Sequence, residues 1–226
     1  MTNRRKFLLK TSLAATGLMV INPFEALAKH SSSLSGVGFN YNSITFLHTS
    51  AAGEIVGSQV KKAAAKNLNV VLLHAGKNSS GTNQVNFDAS MDSLNENFEG
   101  AYNILYKDSI KIGVIAAYNR ENSSVGSIND LSAYLKKEKN CQLVICLSQL
   151  GYKQENSLDD ITLAEKSDNI DMILGKQAGL TPARPVIAKN KSKAEVILQY
   201  TEDTEAVLGK VKIGFSPAGN KHHISF

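Results

Sequence analysis

The chain has 226 residues, of which 42% are hydrophobic and 20% are charged, and its formal net charge is +5. This length is enough for one domain with a real core. Part of the positive charge belongs to an N-terminal cluster, there is no tryptophan, and the lysines are not interleaved with aromatic residues. Composition and charge therefore predict no nucleic-acid partner.

The first 28 residues have the order of an export signal. A close twin-arginine pattern, NRRKFL with Arg4 and Arg5, precedes a mildly apolar run over 13–21 and a small-residue site ending at Ala28. The apolar run is shorter than the roughly 20 residues that a membrane span needs. We therefore predict cleavage after Ala28, membrane contact only during export and a periplasmic location. An ordinary basic amphipathic helix is the alternative.

Beyond the signal, strand and helix patterns alternate along the chain. Residues 29–42 are rich in Ser, Gly and Asn and are predicted to form a linker, and the domain then spans 43–226. In chain order the predicted elements are a strand over 44–48, a helix over 59–67, a strand over 70–73, a segment over 86–98 that could be a second helix, a strand over 112–117, a helix over 128–139, a strand over 143–147, a helix over 158–166 and a strand over 172–174.

From Pro185 onwards the pattern changes to antiparallel strands with polar turns. These strands are predicted over 186–188, 194–200, 206–215 and 222–226. Apolar strands that alternate with helices predict an α/β fold whose sheet is covered on both faces. Cys141 and Cys146 flank a buried run, and a spacing of five along a strand predicts thiols on opposite faces, too far apart for a disulfide.

Four segments stand at predicted strand ends: LHTSAAG (47–53), HAGKNSSGT (74–82), VICLSQLGY (144–152) and IDMILGKQAG (170–179). They resemble the metal-binding loops of the 5′-nucleotidase branch of the calcineurin-like metallophosphoesterases. KIGVIAAYN (111–119), between the second and third segments, and LGKVKIGF (208–215), after the fourth, also stand in the order of that family. The resemblance implies a metallophosphoesterase-like α/β/β/α sandwich, with mixed sheets covered by helices and antiparallel strands at the C-terminus.

The resemblance also implies two divalent metal ions about 4 Å apart, held by carboxylates, imidazoles and an Asn. In this chain other residues stand where the family has its Asp and His ligands, namely Ala51, Gly53, Lys77, Gln149, Gln177 and Gly179. The sequence therefore predicts no metal site, no cofactor and no catalytic residue of the family type. Ser148 follows a buried strand, as a nucleophilic serine does, but the flanking glycine pattern is missing.

Lys77 and Lys176 place positive charge in two of these loops. This suggests a vestigial pocket for an anion, either phosphate or a nucleotide, although solvated residues in a site released from selection are the alternative. His48 and His74 are expected at the ends of neighbouring strands, where they could face one another. The predicted binding residues are His48, His74, Lys77, Asn78, Gln149, Lys176 and Gln177.

Three functions remain open. The first is an exported, non-catalytic binding or scaffolding protein of this family. The second is an active phosphohydrolase, cleaving nucleotide 5′-phosphates with displaced ligands. The third is an interaction domain whose partner is a separately encoded nucleotidase C-terminal domain.

Overall fold

A computed structural model describes residues 42–50, 54–66, 69–75, 89–90, 102–118, 124–176, 181–202 and 208–226. All of them belong to one compact unit. In chain order the elements are β1 (Asn42–Thr49), α1 (Glu54–Lys66), β2 (Val70–His74), β3 (Ala89–Ser90), β4 (Tyr102–Lys107), β5 (Ile110–Ala117), α2 (Val125–Lys137), β6 (Leu143–Ser148), α3 (Asp160–Lys166), β7 (Met172–Lys176), β8 (Val186–Lys189), β9 (Glu195–Thr201), β10 (Gly209–Phe215) and β11 (Lys221–Ser225). The predicted signal with Arg4 and Arg5, and its cleavage site at Ala28, lie outside the described residues.

The strands form two mixed sheets. The first sheet has the order β11-β10-β1-β2-β3, in which β1, β2 and β3 are parallel and β10 runs antiparallel to β1. The second sheet has the order β4-β5-β6-β7-β9-β8, with four parallel strands in the centre and an antiparallel strand at each edge. The predicted α/β class with mixed sheets is therefore confirmed.

Two apolar clusters set the positions of the layers. One cluster joins the sheets and contains Ile44 and Phe46 from β1 together with Ile145 from β6. The other lies on the opposite face of the second sheet, where Leu135 of α2 and Leu163 of α3 are fully buried. The alternation of side chains along each strand sends neighbouring residues into different clusters. No helix in the described part of the chain is long and apolar enough to cross a bilayer.

Some element boundaries differ from the prediction. Helix α2 begins at Val125 rather than 128, because Ser124 caps it: Ser127 N donates to Ser124 Oγ at 3.1 Å, and Ser124 N donates back to Ser127 Oγ. The predicted helix over 86–98 is wrong at 89–90, which form a strand beside β2. Strand β4 was not predicted at all.

The two cysteines are free and buried, as predicted, but their placement on opposite faces is wrong. Both Cys141 and Cys146 belong to the cluster between the second sheet and its helices. Cys141 precedes the first residue of β6, Leu143, so strand alternation does not govern its side chain.

Candidate functional site

The carboxyl ends of β1 and β9 meet, and this contact joins the two sheets where their loops begin. Ser50 follows β1 directly, and its hydroxyl donates to the carbonyl oxygens of Thr201 and Glu202, at 3.1 Å each. The Thr201 hydroxyl donates in turn to Ser50 Oγ at 3.3 Å. Strand ends of both sheets therefore converge on the same edge, as a site built from several loops requires.

His48 lies at this edge and is completely enclosed by protein. Its ring is hydrogen-bonded to the backbone of Gly175 and lies against Gly209, where an added Cβ would overlap the imidazole. Burial lowers the pKa of His48 to about 4, although the bond to Gly175 opposes this. The imidazole is therefore neutral at neutral pH, and its Nε2 has no hydrogen-bond partner among the described residues.

His74 lies on the other face of the first sheet. The parallel register pairs His48 with Leu73 and Thr49 with His74. Leu73 belongs to the cluster between the sheets, so His48 shares that face, whereas His74 points the opposite way. The expectation that the two imidazoles face one another is therefore wrong. The register pairs His48 with Leu73 rather than with His74, and a shift of one residue places a side chain on the opposite face.

The other predicted binding residues are not gathered into one pocket by the described structure. Gln149 is exposed, and its backbone N–H donates to Ala117 O at 2.8 Å. Lys176 is half-buried at the end of β7 and lies opposite Thr201 in the sheet. Lys77, Asn78 and Gln177 lie outside the described residues. Within the described part of the chain, His48 and Lys176 are thus the predicted residues nearest the convergence of the strand ends.

A buried carboxyl group that sequence reasoning missed lies behind β7. Asp160, the first residue of α3, is fully buried and accepts hydrogen bonds from the Ser148 hydroxyl and, at 3.1 Å, from the Tyr200 hydroxyl. Burial raises the pKa of Asp160 to about 7, and the two hydroxyl groups partly offset this effect. Ser148, considered above as a nucleophile, is itself fully buried and serves as a partner of Asp160.

Gly175 separates the two buried groups. A Cβ at this position would lie 2.8 Å from the Tyr200 ring and 3.4 Å from Asp160 Oδ2, and the backbone of the same residue bonds His48. Only glycine permits this close approach of side chains to the strand. The end of β7 is therefore held between a neutral imidazole on one side and a carboxyl–tyrosine pair on the other.

The part of the chain that the structure describes does not supply the ligands of a two-metal centre. No group of three or more His, Cys, Asp or Glu side chains that could hold a metal ion exists among the described residues. The orphaned Nε2 of His48 offers one nitrogen, whereas a stable site needs three or four ligands. Ala51 and Gly53, which follow β1 in the sequence, have no donor atoms in their side chains.

No model of a known protein family matches the sequence, and no curated protein matches it either. Solved structures do match. The NAD nucleotidase NadN of Haemophilus influenzae is 16% identical with a TM-score of 0.63, and the match covers 83% of this chain and 55% of that one. A 5′-nucleotidase precursor from Thermus thermophilus is also 16% identical, with a TM-score of 0.59 and coverage of 81% and 54%.

A third match is the calcineurin-like phosphoesterase YfkN of Bacillus subtilis, at 15% identity and a TM-score of 0.53, covering 80% of this chain and 88% of that one. This chain has the calcineurin-like phosphoesterase fold. The predicted sandwich is thereby confirmed. The chain spans about half the length of the two nucleotidase structures.

Proposed function

We propose that the chain is an exported, non-catalytic binding or scaffolding protein with a phosphoesterase fold. This proposal rests on one observation: at the point where the strand ends meet, the side chains already contact other protein atoms. His48 is neutral and packed on Gly209, and Ser50 is bonded to Thr201. A two-metal phosphatase needs open coordination positions and anionic ligands at such a point.

The residue types in the strand-end loops support the same conclusion. Ala51 and Gly53 cannot ligate a metal, and Lys77 brings a cation where the family has an anionic ligand. Gln149 carries an amide in place of an imidazole and is exposed. The described residues supply no ligand set for a hydroxide-generating metal pair, so we assign no hydrolytic step to them.

Turnover of a phosphate ester tests this proposal against an active phosphohydrolase with displaced ligands. The signal-free protein would be incubated with p-nitrophenyl phosphate and with AMP in the presence of Mn²⁺, Zn²⁺ or Mg²⁺. A matched variant carries Ala51→Asp, Gly53→His and Lys77→Asp together. We expect no metal-dependent turnover by the unsubstituted chain. If the unsubstituted chain hydrolyses either ester and a chelator abolishes this activity, the active alternative is established.

For the ligand, we propose an anion, phosphate or a nucleotide, near the end of β7. Lys176 lies there, opposite Thr201 in the sheet and next in the chain to Gly175, whose backbone bonds His48. Calorimetric titration with phosphate and with AMP, at up to millimolar concentration, measures the binding directly. We expect heat of binding that Lys176→Ala diminishes and that the control Lys189→Ala, on the exposed edge strand β8, leaves unchanged. Absence of heat would refute the anion site.

Export and partners are separate parts of the proposal. If Arg4 and Arg5 form a twin-arginine signal, Arg4→Lys with Arg5→Lys should keep the chain out of the periplasmic fraction. Purification of the tagged protein from that fraction tests the interaction alternative. Recovery of a nucleotidase C-terminal domain would favour that alternative over a free-standing binding protein.

A further inference from the structure

Asp160 is the centre of a buried polar network that the proposed function does not use. Its two carboxyl oxygens accept from Ser148 and Tyr200, and Leu150 N donates to Ser148 Oγ at 3.1 Å. The helix that begins at Asp160 is capped by its neighbour Asp159, not by Asp160 itself. Capping usually explains an acidic residue at a helix start, but the carboxyl group of Asp160 does not have this role.

The groups around this carboxyl supply no compensating positive charge. They are Ser148 and Cys146 from β6, Tyr200 from β9, Asp159 at the start of α3 and the glycine of β7, Gly175. Lys153, in the loop between β6 and α3, lowers the pKa of Asp159 by charge attraction and is not among the groups that shift the pKa of Asp160. Among the described residues, every titratable neighbour of Asp160 is thus neutral or acidic, and an ionised carboxylate there has no ionic partner.

Residues 150–158, which we call the strap, contact the two hydrogen-bond partners of the Asp160 carboxyl through Leu150 and Tyr152. Gly151 O accepts from Asp160 N at 2.9 Å, and Tyr152 O accepts from Ile161 N at 3.3 Å. The Tyr152 ring packs edge-on against Tyr200, with 5.7 Å between centroids. The middle of the strap, 153–157, is exposed. Gln154 N also donates to Asp159 Oδ2 at 3.0 Å, so hydrogen bonds hold the strap to residues beside the carboxyl group while its middle faces water.

We propose that the strap is a proton-controlled cover, which the neutral carboxyl of Asp160 holds closed and the ionised carboxylate opens. The neutral group can accept from one hydroxyl and donate to the other, so the closed network is satisfied without charge. The carboxylate leaves an unpaired charge in an apolar site, and lifting the strap lets water reach it. Because burial raises the pKa of Asp160 to about 7, the change falls near neutral pH.

Hydrogen–deuterium exchange of the full signal-free protein at pH 6 and pH 8 tests the proposal. Peptides that cover the strap report its opening equilibrium, once the intrinsic pH dependence of exchange has been removed. A carboxyl that titrates near 7 when closed and near 4 when hydrated predicts that opening increases about tenfold between these pH values. Peptides from β6 should show no such change.

Three variants make the outcome decisive. Asp160→Asn mimics the neutral carboxyl, so its strap should open equally at both pH values. Glu155→Gln removes the same charge from an exposed strap position and should keep the tenfold change. Ser148→Ala removes a bond that lowers the pKa of Asp160, so the midpoint should move to higher pH even if Asp160→Asn fails to fold.

Equal opening of the unsubstituted strap at pH 6 and pH 8 would overturn the proposal. So would a tenfold change that persists in Asp160→Asn, or a midpoint that Ser148→Ala leaves in place. The proposal does not depend on anion binding, so it can fail or succeed independently of the proposed function.

Discussion

Because His48 is enclosed by protein, one methyl group added beside its ring should lower the free energy of unfolding strongly. Removing the ring should relieve most of this loss. In Gly209→Ala the new Cβ would overlap the imidazole ring and lie 3.0 Å from Thr201 Cγ2. His48 is fully enclosed and cannot swing away without displacing its neighbours. Overpacking of this kind costs about 1–3 kcal/mol, and the degree of overlap places this substitution at about 3 kcal/mol.

A double-mutant cycle measures whether the ring is the cause. The assay is urea unfolding followed by far-UV circular dichroism, since the chain has no tryptophan. Gly209→Ala should be strongly destabilising in the natural background and much less so in His48→Ala, because the methyl group then fills space that the ring vacates. The expected coupling is about 2 kcal/mol or more.

Gly214→Ala is the matched control on the same strand, β10. A Cβ at Gly214 meets its nearest neighbour, His223 Cβ, at an ordinary 3.7 Å, so this substitution should change stability by less than about 1 kcal/mol. If Gly209→Ala is as mild as the control, or keeps its full cost in the His48→Ala background, the closed geometry of the site is refuted.

A raised carboxyl pKa contributes stability that is lost as pH rises, so the unsubstituted chain should lose stability between pH 4 and pH 7. In urea unfolding across this range, Asp160→Asn should therefore gain up to about 4 kcal/mol relative to the unsubstituted chain. The lowered pKa of His48 acts in the opposite sense, with stability lost as pH falls from about 6.5 to 4, so the stability of Asp160→Asn itself should fall on acidification. A flat difference between Asp160→Asn and the unsubstituted chain would contradict the Asp160 assignment, and an Asp160→Asn stability that does not fall on acidification would contradict the His48 assignment. Cys141 and Cys146 should resist a thiol reagent in the folded protein and react fully in denaturant, because both are buried and burial raises their pKa; fast native labelling would contradict this. Ser124→Ala should cost about 1 kcal/mol in the same unfolding assay through loss of the cap on α2, and an unchanged midpoint would show that the cap does not contribute.

The fold was predictable where strands are apolar and parallel. The runs over 70–73 and 143–147 are continuous and buried, and both lie within strands of the structure. Strand β4, by contrast, is a half-buried edge strand without clear alternation, followed by a tight turn in which Asp108 has φ 52°. The sequence around β4 indicates neither the strand nor the turn. Strand β4 forms because it pairs with β5, not because of its local pattern.

The site was predictable only in part, for a related reason. Loop motifs located His48 and Lys176 at strand ends, but register decides which face a residue occupies, and so His74 was misplaced. Asp160 and Tyr200 are 40 residues apart in the chain and meet only through the fold. The adjacent acids 159 and 160 resemble an ordinary helix start, and sequence pattern does not distinguish the cap from the buried group.

Metal stoichiometry at equilibrium tests the central claim most directly. The signal-free protein would be dialysed against micromolar Mn²⁺ and Zn²⁺ and its bound metal measured by mass spectrometry, beside the variant with Ala51→Asp, Gly53→His and Lys77→Asp. The proposed non-catalytic function predicts far less than one metal ion per unsubstituted chain, and more in the variant that carries the three family-type residues. Two metal ions per unsubstituted chain would contradict the proposal that this protein is non-catalytic.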